Sequence, residues 1–202
     1  MSDVRARLKD KKRIVVKIGS SSLMYADTGL LNIGKVEKLA RILADLRNAG
    51  NDVCLVSSGA ISTGRNSLTT NNNSNTLSFK QACAAIGQAK LIAHYQRFFA
   101  EYSINTAQVL LTEIILADEE SRVNALNTFN ELFKLGAIPV VNENDSISTE
   151  EIKYVHTFGD NDRLSAIVAK LVDADLLIIL SDIDGMYTDD PRKNPDAELM
   201  YE

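Results

Sequence analysis

The chain has 202 residues, of which 45 % are hydrophobic and 24 % charged, and its formal net charge is −5. This composition is typical of a globular domain with a substantial core, and it excludes a chain that is disordered throughout. The acidic balance provides no broad basic surface, so we expect neither nucleic-acid binding nor attachment to an anionic membrane.

Membrane insertion and secretion are also not expected. No apolar stretch reaches the roughly 18 residues that a membrane span requires, and the charged N-terminal segment is not followed by a signal-peptide core. The two cysteines, Cys54 and Cys83, belong to no metal-binding pattern, and their apolar surroundings predict buried thiols. We therefore expect a cytoplasmic protein in a reducing compartment.

Short apolar runs alternate along the chain with amphipathic helical patterns. Nearly continuous apolar runs are typical of parallel strands that are covered on both faces. Because proline has no N–H to donate, Pro139 predicts an edge strand or a strand start at its position. The predicted strands are Arg13 to Ile18, Asp52 to Val56, Ala107 to Leu111, Ala137 to Val141 and Leu176 to Leu180.

Helices are predicted between these strands, where apolar residues recur at helical spacing. Strand and helix in alternation indicate parallel βαβ units. The predicted fold is therefore α/β, a three-layer α/β/α sandwich with a mainly parallel central sheet. The polar stretch from Asn66 to Ser78 predicts a mobile loop. The predicted helices run from about Val36 to a stop at Gly50, from Phe79 to Tyr102, from Glu119 to Leu135 and from Asn161 to Val172.

Two polar clusters lie in the second half of the chain. Asn142-Glu143-Asn144-Asp145 directly follows an apolar run, and Gly159-Asp160-Asn161-Asp162 directly precedes a helical pattern. An open α/β sheet binds its ligand where strands end and helices begin. The two clusters therefore predict walls of an active site.

Other strand ends carry further candidate groups. Lys17-Ile18-Gly19-Ser20 closes the first strand with a cation and a glycine that lets backbone N–H groups approach a phosphate. The segment matches neither a Walker A loop nor Gly-x-Gly-x-x-Gly, and a plain Gly-Ser turn is the alternative interpretation. Ser57-Ser58-Gly59-Ala60 closes the second strand as either an anion receptor or a simple helix cap.

The fifth strand is followed by Ser181-Asp182-Ile183-Asp184-Gly185. Tyr187 stands where an EF-hand loop requires glycine, so calcium binding is rejected and a nucleotide-contacting loop is left as the candidate function. We predict no metal ion held by protein ligands alone.

These strand ends together indicate phosphoryl transfer. The chain has only two histidines and no Ser-His-Asp or Cys-His set. A kinase whose acceptor is a carboxylate needs no general base, because that nucleophile is already ionised at neutral pH. The lack of a candidate base therefore favours a carboxylate acceptor.

Six segments, taken in order, resemble the glutamate 5-kinase family of the amino acid kinase superfamily, and the resemblance extends from Arg13 to Pro195. It implies ATP-dependent phosphorylation of the γ-carboxylate of L-glutamate to L-glutamyl 5-phosphate, the first step of proline biosynthesis. The segments are Val16 to Ser21, Val56 to Ile61, Ala84 to Gln88, Val141 to Asp145, Gly159 to Ala166 and Leu180 to Tyr187.

The resemblance also implies roles for individual residues. Lys17 bridges the ATP phosphates and Asp162 orients it, which makes these two the catalytic residues. Mg²⁺ is implied as an ion bound through the nucleotide phosphates. The implied ATP-binding residues are Lys17, Gly19, Ser20, Ser181 and Asp182. The implied substrate-binding residues are Ser58, Gly59, Asp145, Lys153, Asp160 and Asn161.

The same resemblance also implies binding partners and the extent of the domain. It implies ATP and L-glutamate as substrates, proline as a possible feedback inhibitor, and a homo-oligomer. Two departures stand out: a small insertion, Tyr154 to Phe158, follows Lys153, and the chain stops at Glu202, before the family's segment with a second catalytic lysine. We therefore expect residues 1–202 to form one amino acid kinase domain that is C-terminally incomplete and has no accessory domain.

Three alternatives are left open. The chain is expected to retain a glutamate pocket but to phosphorylate poorly without the second lysine. Another amino acid kinase, acting on a different carboxylate or on a phosphate acceptor, would share the Lys17 loop. A non-enzymatic module would use the same pocket to bind glutamate or proline without transferring phosphate.

Overall fold

The computed structural model describes residues 7–68, 74–112, 117–147 and 160–200. Its five strands form one sheet in the order β3-β4-β2-β1-β5, and every neighbouring pair is parallel. The α/β prediction is therefore confirmed. The strands are β1 (Arg13–Ile18), β2 (Asp52–Ser57), β3 (Thr106–Leu111), β4 (Ile138–Glu143) and β5 (Leu176–Leu180).

Six helices are described between and beside these strands. Three of them begin at a residue whose side chain accepts a hydrogen bond from a first-turn N–H, namely Asn32, Thr76 and Asp118. The helices are α1 (Ser20–Leu23), α2 (Ile33–Asn48), α3 (Ala60–Ser67), α4 (Leu77–Ala100), α5 (Glu119–Lys134) and α6 (Asp160–Leu171).

The side chains of successive β1 residues point to opposite faces of the sheet. Ile14, Val16 and Ile18 pack with residues of α2 and α4, whereas Val15 packs with residues of α5 and α6. Two separate apolar clusters, one on each face, result from this alternation. The predicted three-layer α/β/α sandwich is therefore confirmed.

The structure corrects two expectations about β4. The strand continues to Glu143, so Asn142 and Glu143 lie inside it, paired with Leu110 and Leu111 of β3, and do not follow it. Pro139 is at the second position of β4, but β4 lies between β3 and β2 and is not an edge strand. Proline fits there because pairing with β2 begins only at Val140, one residue later.

Helices α3 and α4 cross at two glycines. A Cβ added to Gly64 would lie 1.8 Å from the Cys83 carbonyl oxygen, and one added to Gly87 would lie 1.8 Å from the Ala60 carbonyl oxygen. The two backbones are therefore in direct contact, which anchors the start of α3 against α4. The expected polar loop between them is shorter than predicted, because α3 extends to Ser67 and α4 begins at Leu77.

Buried thiols are confirmed at Cys54 and Cys83, neither of which is in a disulfide. Burial raises the pKa of the Cys54 thiol far above its ordinary range. Among the helices that the structure describes, none has the length and apolar character needed to cross a membrane.

Candidate active site

The carboxyl ends of β1, β2 and β4 lie side by side in the sheet and carry the predicted site residues. The backbone N–H of Ser58 donates to the Ile18 carbonyl across the ends of β1 and β2, at 3.1 Å. Helix α6 begins over this edge, so its first residues face the strand ends. Ligands of open parallel sheets bind at such an edge.

Lys17 provides a buried positive charge at the end of the central strands. Only 8 % of the residue is exposed, and its Nζ lies 2.6 Å from Oδ1 of Asp162, the third residue of α6. That oxygen makes no hydrogen bond of good geometry, so the contact is an ion pair and not an aligned hydrogen bond. Because a buried ammonium requires a counter-charge, Asp162 both compensates Lys17 and fixes its direction.

Asn161, next to Asp162, joins the ends of β2 and β4. Its Nδ2 donates to Oγ of Ser58, to Oδ1 of Asn142 at 3.1 Å and, more weakly, to the Ser57 carbonyl at 3.5 Å. Its Oδ1 is buried and has no hydrogen-bond partner in the described part of the chain. Asn161 is thus fixed to the sheet by its nitrogen and has an acceptor left for a ligand.

Two residues of α4 support this network from behind. Gln88 Oε1 accepts a 2.8 Å hydrogen bond from Nδ2 of Asn142, and the Tyr95 hydroxyl and Ser57 Oγ are 2.9 Å apart. Burial raises the pKa of the Tyr95 phenol well above its ordinary range, and the hydrogen bond with Ser57 only partly opposes that rise. Tyr95 is therefore neutral, and the end of β2 rests on an uncharged polar contact.

A cavity of about 290 Å³ adjoins this network between α4 and the ends of β3 and β4. Small side chains leave the space open, and Gln88, Glu143 and Asp145 contribute polar groups to its wall. The cavity has room for a small molecule with several polar groups. Its lining residues are Ala60, Ala84, Ala85, Gln88, Ala89, Gln108, Leu110, Glu143, Asn144, Asp145 and Ser146.

The two predicted loop glycines, Gly19 and Gly59, differ in why glycine suits them. A Cβ at Gly19 would lie 3.3 Å from the Lys17 ammonium, so glycine leaves the space beside that charge free for an anion. Gly59 precedes α3 with a φ of 104°, and a Cβ there would lie 3.0 Å from Met24 Cε. The first backbone N–H groups of α3 receive no side-chain cap and can donate hydrogen bonds to an anionic ligand.

Ser181 and Asp182 follow β5, the neighbour of β1, and both are exposed. Asp182 forms an ion pair with Arg192 at 3.2 Å, and Arg192 also contacts Asp190 at 3.0 Å. The predicted nucleotide-binding pair is therefore adjacent to Lys17 in the sheet order. The Asp182 carboxylate is paired with Arg192 from the loop that follows β5.

The structure locates the predicted site residues with the exception of Lys153. Lys17 is paired with Asp162, Ser58 is hydrogen-bonded to Asn161, and Asp145 lines the adjoining cavity. Asp160 is the first residue of α6, and Lys153 lies outside the described residues. Ser20 is the exposed first residue of α1. The functional roles of these residues stay predictions.

Sequence reasoning assigned no role to Gln88, Tyr95 or Arg192. Gln88 belongs to a segment that carried the family resemblance, but only the packing of α4 against β4 brings its amide to Asn142. In the part of the chain that the structure describes, no group of three or more His, Cys, Asp or Glu residues has the arrangement of a metal site.

Comparisons with known proteins agree with this architecture. A family model described as "Amino acid kinase family" matches residues 12–202. Proteins named glutamate 5-kinase from Clostridium perfringens and Carboxydothermus hydrogenoformans are each 52 % identical to the chain over 199 residues. The match covers 98 % of this chain but 74 % of the first relative and 52 % of the second.

A solved structure of UMP kinase from Bacillus anthracis resembles the chain with a TM-score of 0.59 and 15 % identity. The likeness covers 94 % of this chain and 72 % of that one. At this identity the likeness concerns the fold alone.

Proposed function

The chain belongs to the amino acid kinase family, and we propose that it transfers the γ-phosphoryl group of ATP to the γ-carboxylate of L-glutamate. The observation that carries the proposal is the ion pair between the buried Lys17 and the half-exposed Asp162, beside Asn161 and Ser58 at the carboxyl ends of the strands. The similarity of the chain to proteins named glutamate 5-kinase supports glutamate as the acceptor.

The proposed reaction needs no base from the protein. A γ-carboxylate is ionised at neutral pH, so one of its oxygens attacks the γ-phosphorus directly. A new O–P bond forms, the bond between the γ-phosphorus and the bridging oxygen of ADP breaks, and ADP leaves with the bonding electron pair. The product is an acyl phosphate, and no proton moves in the step.

Lys17 stabilises the negative charge on the transferred phosphoryl group in this proposal. Its ammonium is shielded from water and held by Asp162, so the charge does not have to reorganise as the reaction proceeds. Removing one such preorganised group costs about 10²–10³-fold in rate in well-studied enzymes. Gly19 leaves room for phosphate oxygens next to that ammonium.

Substrate and nucleotide occupy neighbouring strand ends in the proposed complex. Ser58, Gly59 and Asn161 hold the amino acid at β2, with Asp145 paired to its α-ammonium, while Ser181 and Asp182 hold the nucleotide at β5. Mg²⁺, carried by the nucleotide phosphates, would offset their charge. Lys153 and Asp160 are proposed as further polar groups of the substrate site.

The remaining expectations are part of the same proposal. Residues 1–202 are proposed to belong to one amino acid kinase domain of a cytoplasmic homo-oligomer, with proline as an inhibitor that competes for the amino-acid site. Sedimentation tests the assembly, and inhibition by proline that is relieved by added glutamate tests the competition.

The central test measures ADP release in the presence of ATP, Mg²⁺ and L-glutamate, with hydroxylamine added to trap the acyl phosphate as a hydroxamate. We expect glutamate-dependent ADP and an equal amount of hydroxamate. Lys17→Met keeps the length of the side chain but removes its charge, and it should lower kcat at least 100-fold. Asp162→Asn should lower kcat by a smaller factor, because Lys17 retains its charge.

The Clostridium perfringens relative provides the positive control, and L-aspartate and N-acetyl-L-glutamate provide alternative acceptors. Equal turnover of all three acceptors would show that the enzyme accepts a broader class of carboxylates and is not specific for glutamate. Glutamate binding in calorimetry without ADP formation would establish a binding module instead of a kinase. An undiminished rate for Lys17→Met would remove Lys17 from the mechanism.

A further inference from the structure

Three side-chain amides form a continuous chain that crosses the site. Gln88 of α4 bonds to Asn142 of β4, and Asn142 bonds to Asn161 of α6. Gln88 and Asn142 are 8 % and 2 % exposed, so water does not compete for these hydrogen bonds. We call these three residues the amide relay.

The relay has a single direction. The Ser57 carbonyl can only accept a hydrogen bond, so the Asn161 amide must turn its NH₂ group toward β2. Asn142 then has to present Oδ1 to Asn161, and it turns its own NH₂ group toward Gln88. Gln88 must therefore present its Oε1 to the NH₂ group of Asn142. A backbone carbonyl at the end of β2 therefore determines the orientation of an amide in α4.

One donor is left at the far end of the relay. Gln88 lines the cavity, and its Nε2 makes no hydrogen bond to any of the described residues. Because Asn142 occupies its Oε1, Gln88 has its NH₂ group available to donate to a ligand in the cavity that it lines. Ala60, the first residue of α3, lines the same cavity, and α3 begins without a side-chain cap.

These donors complement Asp145, which lines the same cavity. Asp145 can receive an ammonium, whereas the Gln88 amide and the start of α3 can donate to a carboxylate. The pair matches the charged head group of an amino acid. We propose that Gln88 donates a hydrogen bond to the α-carboxylate of the amino-acid substrate, and that Asn142 is the positioning residue that orients it. The inference rests on the proposed function.

The first experiment measures glutamate binding by calorimetry to the 202-residue chain and to Gln88→Glu. Glutamate at position 88 keeps the acceptor for Asn142 but replaces the donor with a negative charge. We expect the Kd for L-glutamate to rise at least tenfold. We also expect the preference for L-glutamate over its α-carboxamide analogue, isoglutamine, to fall by a similar factor.

Gln96→Glu is the matched control, because Gln96 lies on α4 like Gln88 but is exposed, does not line the cavity and is outside the amide relay. It adds the same charge and should change the Kd less than threefold. Equal losses in the two variants would mean that charge alone matters, which overturns the proposal. An unchanged Kd in Gln88→Glu overturns it as well.

Asn142→Asp tests the direction of the relay. An aspartate accepts hydrogen bonds from both neighbours, so Gln88 must turn its NH₂ group away from the cavity and present Oε1 there. We expect a loss of glutamate affinity comparable to that of Gln88→Glu. Retained affinity in a folded Asn142→Asp variant would show that Asn142 does not orient Gln88.

A measurement on the unaltered chain covers the case in which the variants do not fold. In ¹⁵N-labelled protein, the side-chain NH₂ resonances of Gln88 should shift when L-glutamate is added. They should not shift with 4-aminobutanoate, which lacks the α-carboxylate. Unshifted resonances at saturating glutamate, or no glutamate binding at all, overturn the inference. Because these readouts need no turnover, a chain that binds glutamate through Gln88 but releases no ADP refutes only the proposed catalysis.

Discussion

Replacing Gly87 with alanine sets two effects on stability against each other. Gly87 lies inside α4, where helix propensity alone favours alanine by about 1 kcal/mol. The close contact of α4 with α3 predicts, in contrast, that alanine at this position destabilises the protein. The new Cβ would lie 1.8 Å from the Ala60 carbonyl oxygen and 2.4 Å from the Gly64 nitrogen, and both are backbone atoms that cannot rotate away.

The size of the effect follows from that overlap. The Ala60 carbonyl would have to move from 1.8 Å to at least 3.0 Å, the distance below which real Cβ contacts are essentially absent. Backbone shifts forced by added methyl groups cost about 1–3 kcal/mol, and we take the upper value because backbone meets backbone. After the gain in propensity, about 2 kcal/mol of stability is lost. For a chain of this size the melting temperature should fall by about 4–8 °C.

Urea unfolding followed by far-ultraviolet circular dichroism measures this difference. Gly34→Ala is the matched control, since Gly34 is also helical but a Cβ there would meet only Asn32 Oδ1, at 3.6 Å. The control should be as stable as the parent chain or more stable. If Gly87→Ala unfolds at the same or a higher urea concentration with an unchanged slope, the close crossing of α3 and α4 is refuted.

Three further predictions concern stability and reactivity. Gly59→Ala should lose about 1–2 kcal/mol, because its φ of 104° is unfavourable for alanine, and an unchanged urea midpoint would contradict this. Hydrogen bonds from the backbone N–H groups of Arg13 and Lys12 lower the pKa of the Asp175 carboxyl below 3.8. The ionised Asp175 therefore stabilises the fold above pH 3.8, and this stabilisation is lost as the pH falls through the folded-state pKa. Asp175→Asn should therefore reduce the drop in urea midpoint between about pH 5 and pH 3, and a drop as large as the parent's would exclude this role. Burial keeps the thiol of Cys54 protonated at pH 8, so it should react with a thiol reagent only as the chain unfolds; rapid labelling of the native protein would refute its burial.

The sheet and its helices could be predicted from the sequence because buried parallel strands are nearly continuous apolar runs. Five apolar runs separated by amphipathic stretches gave the correct strands to within two residues at each end. The end of β4 was wrong because Asn142 and Glu143 are polar. Their backbones still pair with β3 and their side chains are buried, so the change from apolar to polar residues did not coincide with the end of the strand.

The strand order and the amide relay could not be predicted in this way. Hydrophobic periodicity shows which face of a strand is buried but not which strand is its neighbour. For that reason Pro139 was left open between an edge strand and a strand start, and it lies at the start of an interior strand. Gln88 gave no signal of its own, because a glutamine on an amphipathic helix is normally exposed. Only the contact of α4 with β4 brings it to Asn142.

The position of β1 in the sheet also has a consequence for biosynthesis. This strand is made first, but it pairs with β5 along one side, where Ile14 is opposite Leu176. At a translation rate of about 5–20 residues per second, β5 follows β1 out of the ribosome only after roughly 10 to 30 seconds. During that interval one edge of an apolar strand is open, and the Lys17 ammonium has no counter-charge from Asp162, which lies in α6, the helix that precedes β5. The nascent chain is therefore expected to depend on chaperone protection until β5 has been made, and the Lys17–Asp162 ion pair can form only after α6 has been made.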